Sequence, residues 1–378
     1  MKGKKIRAVV IFLLFIVYFI LAARPVPQET ILSAVWISSL LAENPQTSVI
    51  SASADNVYGD FIPFTLGNRF GYVNSSGEYA INRVKNNNIY LGGNFWTEYE
   101  TQPAKIEVKS LFDELLINIE NTRGYPILLD NRVFILGNEQ NELSEIDSDG
   151  NVIWTYEFGA PITCIDAAAG LVLTGSLDGV IEILDSFGKR IFYFKPGGSR
   201  YDVILGCAVS GNGSRLGIIC GVDNQRFLYL ERFGNTGGEY RVIYHEYLET
   251  GFRRPVRVLF TDEDRRIVFE RAGGINCYNI KARHGVFIPL DGKISAIDNS
   301  GDQGLIFLIT SDLIRRNELI GIKLPEYKRM MLAGKNDTQG AVFLRASFNS
   351  DDVFLGRNGS KLIIGGGSTL ISFDLEDK

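Results

Sequence analysis

Histidine is nearly missing from this chain: only two of its 378 residues are histidine, His245 and His284. They lie far apart, with no H-E-x-x-H or other paired spacing and no G-x-S-x-G elbow beside them. That leaves almost nothing from which to build a histidine metal site or a Ser–His–Asp centre. Cysteine is scarce too. Cys164, Cys207, Cys220 and Cys277 are widely spaced in apolar runs, and no C-x-x-C pair exists, which excludes a zinc ribbon or redox dithiol motif. They read as buried thiols on strands. The alternative is a Cys207–Cys220 bridge between neighbouring strands, which an exporting compartment would permit. Basic residues are outnumbered, 39 against 44 acidic ones for a net charge of −5, so there is no electrostatic reason to expect nucleic acid. The glycines at 365–367 lack the Lys-Ser/Thr of a phosphate loop. Asp262-Glu263-Asp264 and Asp351-Asp352 sit among turn residues and read as caps. No catalytic centre, metal site or cofactor cradle assembles from these residues. The expectation is a protein that is not an enzyme and carries no cofactor.

One long apolar run stands out. Lys2, Lys4, Lys5 and Arg7 precede an uncharged stretch from Ala8 to Ala23, closed by Arg24 and Pro25. As a helix it would span about 24 Å, close to a hydrocarbon core once flanking arginines snorkel. The positions before a cleavage point are poor for processing, because Ile20 and Leu21 are large. We therefore expect residues 1–24 to be a cytoplasmic basic arm and signal anchor, with the remainder outside the cell membrane: a single-pass protein, periplasmic in a two-membrane cell. Residues 25–60 are expected to hold a juxtamembrane helix from Gln28 to Asn44, with Trp36 at the membrane interface, followed by a small polar linker.

From residue 60 the character changes. Forty glycines punctuate short β-branched and aromatic runs, which is a strand pattern. A unit of strand, Gly or Asp turn, strand ending in an acidic or amide residue, turn and strand recurs. Its clearest copies are NRVFILGNEQNELSEIDSDGNVIWTYEF from Asn131 and GLVLTGSLDGVIEILDSFGKRIFYF from Gly170. Openings at Ile89, Arg132, Leu171, Leu216, Arg266, Leu305 and Leu362 recur at the ~40–50-residue spacing of propeller blades. Another strand precedes most of these pairs, giving four per unit. A four-stranded sheet cannot bury both faces alone, and radial stacking lets neighbours do it. Residues 61–378 are thus expected to form an all-β, seven-bladed β-propeller preceded by an N-terminal transmembrane helix. The last unit stops after its third strand near Asp374. A strand from residues 60–75 is expected to complete it and close the ring.

The stretch EIDSDGNVIW, with Trp154, resembles the blade turn of quinoprotein-like propellers, and SLDGVIEILD resembles that of WD-repeat-like propellers. Phe192 takes the tryptophan's place in the next unit, and the Trp-Asp and Gly-His signatures are absent. The resemblance implies a propeller repeat protein and implies no cofactor.

Basic residues concentrate in one region: Arg226 and Arg232 flank one hairpin, and Arg253, Arg254 and Arg257 follow in GFRRPVRV. These are the candidate site for an anionic partner. The functional expectation is a non-catalytic interaction or assembly platform with a protein partner in the cell envelope. A ligand- or glycan-binding sensor module is the alternative, and a propeller enzyme with its site at the channel mouth is the remaining one.

Overall fold

In a computed structural model of the chain, the structure describes residues 30–41, 61–234, 239–249, 251–298, 304–312, 314–324 and 341–377, together with Phe12, Phe15 and Tyr18. These residues form eight antiparallel sheets. Blade 1 spans residues 61–84 in three strands. Blades 2 to 7 span 88–120, 124–157, 162–194, 204–247, 258–289 and 293–349, with four strands each. Blade 8 takes three strands from 353–377 and its outermost strand from Thr30–Ser39. Within blades 1 to 7 the strands pair in chain order, and first strands of neighbouring blades lie side by side along the axis, as Ile162–Ala168 does with Ile204–Val209.

The expected fold is corrected on three points. The ring has eight blades, not seven. Residues 61–84 are a blade of their own rather than a closing strand; the turn at Asn74 matches the turns between third and fourth strands elsewhere, so this blade holds the three outer positions. Its first strand, Phe61–Leu66, pairs on one side only and accordingly tolerates Pro63, which has no N–H to leave unpaired. Second, the helix expected from Gln28 to Asn44 is the strand Thr30–Ser39, paired antiparallel with Thr369–Asp377. Third, the transmembrane helix is not upheld. Most of the run 8–23 lies outside the described residues, and among those described no helix is long and apolar enough to cross a membrane.

A single local device recurs around the ring. In blades 1 to 5, 7 and 8 the outermost strand carries a one-residue bulge against its neighbour. A bulge bends the strand and re-aims the next side chain. The residue after it is Trp154 in blade 3, Phe192 in blade 4 and Trp36 in blade 8. Ahead of the outermost strand, a polar side chain folds the turn by accepting two backbone N–H groups. Asn74 accepts from Ser76 and Glu78, Asp147 from Asp149 and Asn151, and Asp185 from Phe187 and Lys189. This is the Asx-turn chemistry that Asn and Asp favour.

The turns also join blades. Gly188 has φ +71°, and a Cβ there would sit 2.5 Å from the Trp154 ring of the preceding blade. Gly77, φ +88°, faces the Trp36 ring of blade 8 in the same way at 3.0 Å. Trp36 is therefore the counterpart of Trp154, one indole closing the ring where the other joins blades 3 and 4. Gly188→Ala is expected to destabilise by about 1–3 kcal/mol, through both the left-handed backbone and the overpacked indole. A urea unfolding curve would measure it.

Aromatic side chains fill the wedges between sheets. Phe227 of blade 5 stacks on Phe269 of blade 6 at 4.4 Å, Phe70 of blade 1 meets Trp96 of blade 2 at 5.0 Å, and Phe64 meets Phe354 of blade 8 at 6.2 Å. Buried charge pins the ring as well. Arg357 of blade 8, almost wholly buried, pairs with Asp298 of blade 7 and donates to Leu305 O at 3.2 Å.

Candidate functional site

Strands of a meandering sheet alternate in direction. Turns between second and third strands therefore share one end of the ring with the connectors that lead from blade to blade. On this connector face, blades 7 and 8 frame an open cleft of about 800 Å³. Its walls come from Gly292, Lys293 and Ser295 at the start of blade 7, from Asp312, Ile314 and Arg315, and from the connector Ser350 to Asp352. A second recess of about 840 Å³ shares Ile314, Arg315, Ser350 and Asp351 and extends to Gly366 and Gly367.

The floor is hydrogen-bonded throughout. Ser295 and Ser311 hydroxyls lie 2.6 Å apart, Ser311 Oγ donates to Asn317 Oδ1 at 2.5 Å, and Asn317 Nδ2 donates to Ser350 O at 2.8 Å. Ser350 Oγ donates to Asp352 O at 2.6 Å and accepts from Gly367 N at 2.7 Å. Asp312 Oδ1 accepts from the backbone N–H of Ile314 and of Arg316, both at 2.9 Å. That turn holds Arg315 at φ +64° and lifts Ile314 to 82% exposure. Arg315 reaches Asp351 across the rim at 2.6 Å. A fixed polar floor beneath an exposed apolar and charged rim is a surface that can receive a complementary group without rearranging.

The basic residues singled out from sequence are only partly brought together. Arg226 and Arg232 sit at opposite ends of the strand Arg226–Phe233, about 20 Å apart at the usual rise, so Arg232 belongs to the other face. Arg232 stacks over Tyr240. Arg226, Arg253, Arg254 and Arg257 are on the connector face, and three of them are engaged. Arg226 donates to the Gly197 carbonyl and lies over the Tyr247 ring. Arg254 meets the buried Glu270 through both terminal nitrogens, at 3.1 and 3.2 Å. Arg257 donates to Ile294 O and Ser295 O of blade 7 at 3.1 and 3.2 Å. Arg253 is exposed. What assembles is a structural clamp on a connector rather than an open cationic surface. Gln225, which sequence reasoning passed over, completes it by bonding Phe252 through both ends of its amide. Glutamine beside a turn carries no signal of such a role.

Both histidines lie on outermost strands, His245 in Glu239–Tyr247 and His284 in His284–Pro289. Among the described residues no group of three or more His, Cys, Asp or Glu could hold a metal ion. One carboxylate has an unusual environment. Asp166, on the first strand of blade 4, is pushed up to about 6 by burial, against the opposing pull of backbone N–H bonds from Val209 and Ala167. Because the folded value lies above the unfolded one, the native state binds the extra proton between about pH 4 and 6. Asp166 thus contributes stability that is fully present below about pH 4 and is lost as pH rises through 6. Asp166→Asn is expected to flatten that part of the stability-against-pH curve, read as the difference between the two proteins in thermal melts from pH 4 to 7.

A closed ring of radially stacked antiparallel sheets, seven of four strands and one of three, tied by outer-strand indoles and turn glycines, defines a β-propeller. A family model described as beta-propeller protein matches residues 1–378, and the chain belongs to that family. An uncharacterised protein of Treponema pallidum (strain Nichols) is 27% identical over 286 residues, 75% of this chain and 74% of that protein. Among solved structures, BamB from Moraxella catarrhalis superposes with a TM-score of 0.56 at 14% identity, covering 91% of this chain and 100% of that one. The computationally designed Ika8 protein gives 0.59 at 10% identity, over 84% and 97%. A chain in the Mitotic Checkpoint Complex gives 0.51 at 12% identity, over 75% and 85%. At these identities the likeness is one of fold.

Proposed function

We propose that this propeller is a non-catalytic docking module that holds a protein partner on its connector face. The observation that carries the reading is the rim of the blade 7–8 cleft, where Ile314 stands 82% exposed beside the Arg315–Asp351 pair above a hydrogen-bonded floor. An exposed apolar anchor with a polar surround is how an interface concentrates its binding energy. The presence of a similar fold in the Mitotic Checkpoint Complex supports a role among protein partners. The basic arm and apolar run at residues 2–24 suit export and support a partner in the cell envelope. Protease shaving of intact cells tests that address.

The docking reading is tested by pull-down of the full chain from its native membranes. Ile314→Asp with Arg315→Glu is expected to reduce recovery of a reproducible envelope protein at least ~10-fold, a loss of about 1.4 kcal/mol, with the melting temperature unchanged. Unchanged recovery would remove the cleft from the interface, and turnover of a small molecule by the purified chain would overturn the non-catalytic reading. The cleft's size also falls in the range of small-ligand sites, and its polar floor suits a sugar. Saturable binding of a glycan at the same residues would favour that second reading.

A further inference from the structure

The first strands of blades 4 and 5 run side by side, and two side chains lash them together. Thr163 Oγ1 donates to Ile204 O at 2.5 Å, and Val209 N donates to Asp166 Oδ2 at 2.8 Å. Between these ties lie Cys164 on one strand and Cys207 on the other. Each strand is bulged by one residue against its own neighbour, between Ile162 and Cys164 and between Ile204 and Gly206. Cys164 packs against the buried cluster that contains Cys207. Packing places the Cys164 sulfur independently: a Cβ at Gly175 would lie 2.7 Å from Cys164 Sγ and 2.4 Å from Ile204 Cγ2. The sulfur therefore sits against blade 5, on the cluster that contains Cys207. Cys220, the partner considered from sequence for Cys207, pairs in register with Ile204, whereas Cys207 faces Ile218. All four thiols are free, with Cys164 half-buried and the others buried.

We propose that Cys164 and Cys207 are a disulfide-forming pair, a modification site that clasps blades 4 and 5 covalently when the chain meets a disulfide oxidant. Cys164 is the more accessible thiol, while the neighbouring Cys164 side chain and then burial push the Cys207 thiol up. Cys164 is thus the first nucleophile. Its thiolate attacks one sulfur of the oxidant, the oxidant's S–S bond breaks, and one thiolate leaves, taking up a proton. Cys207 then loses its proton and attacks the Cys164 sulfur, expelling the second thiolate, which is protonated in turn. Two protein thiols are oxidised and one oxidant disulfide is reduced to two thiols. Such a bond would lock the two blades at their inner strands, between the two hydrogen bonds that already tie them.

The test is thiol mapping of the full chain after incubation with oxidised glutathione. Remaining thiols are alkylated, and peptides are read by mass spectrometry without reduction. The expected product joins the peptides of Cys164 and Cys207 with the loss of two hydrogen atoms, and Cys220 and Cys277 are alkylated only after denaturation. Cys164→Ser should abolish the cross-link and Cys220→Ser should leave it intact. The oxidised chain should melt roughly 5 °C above the reduced one. Cys164 and Cys207 both remaining alkylatable after oxidation, or a Cys207–Cys220 product, would overturn the proposal. The map of the unsubstituted chain decides the matter even if a variant fails to fold.

Discussion

Removing Thr30–Ser39 is expected to destroy the folded ring. That strand supplies the outermost ladder of blade 8, and it carries two ties to blade 1, with a third from Leu40 just past its end. Trp36 Nε1 donates to Ser75 O at 2.9 Å, Tyr79 Oη donates to Ser38 Oγ at 2.9 Å, and Asn82 Nδ2 donates to Leu40 O at 3.3 Å. Leu40 itself is 1% exposed, within the cluster that joins Phe64 and Ile363. A ring held by its two chain ends loses cooperativity when one end is withdrawn, since blades 8 and 1 then expose opposing apolar faces. Within the intact chain, Leu40→Ala is expected to cost about 2–5 kcal/mol. Ile37→Ala, at an exposed position of the strand just before it, should stay within ~0.5 kcal/mol of zero. Urea unfolding monitored by circular dichroism measures both. Equal effects from the two would mean that the strand does not close the ring.

The second large effect is expected at Glu145. This buried carboxylate accepts from Arg132 Nε at 2.8 Å and Nη2 at 2.6 Å, and from Trp154 Nε1 at 2.7 Å. Arg132 also lies over the Phe134 ring, 4.8 Å from its centre, and points toward the Leu171 carbonyl of the next blade. Glu145→Ala leaves a guanidinium and an indole N–H without their acceptor in a mostly dry wedge. Deleting one side of such a pair costs about 3–5 kcal/mol. Replacing both partners by apolar residues of similar size is expected to cost much less, because no charge is then stranded. The signature is therefore a double variant, Arg132→Leu with Glu145→Leu, more stable than Glu145→Ala alone. The reverse order would show that the pair stabilises by more than compensating its own burial.

Strand content, turn positions and the blade-sized repeat were legible because each is local. Alternating apolar residues, D-G turns and the Asx residues at 147 and 185 act within a few positions of themselves. Residues 61–84 were legible as strands yet not as a blade, since they lack the preceding strand that made the other units four-stranded and so read as a segment completing another sheet. The segment 30–39 misled for a different reason. TILSAVWISS has apolar residues at spacings that suit a helix as well as a strand, and its burial depends on Thr369–Asp377 at the far end of the chain. The cleft at blades 7 and 8 left little trace, because serine, asparagine and aspartate near turns look alike whether they floor a site or cap a loop.

The amino-acid order by itself determined an all-β repeat built from short strands, with four-stranded units and no recognisable catalytic motif, since periodicity and turn chemistry are written in near neighbours. Only the tertiary structure decided that the blades number eight and that the strand beginning at Thr30 shuts the ring. It alone set Cys164 beside Cys207 and separated Arg226 from Arg232. Closure, register and contact across blades depend on residues that meet in space after long intervals of chain, where no local pattern records the meeting.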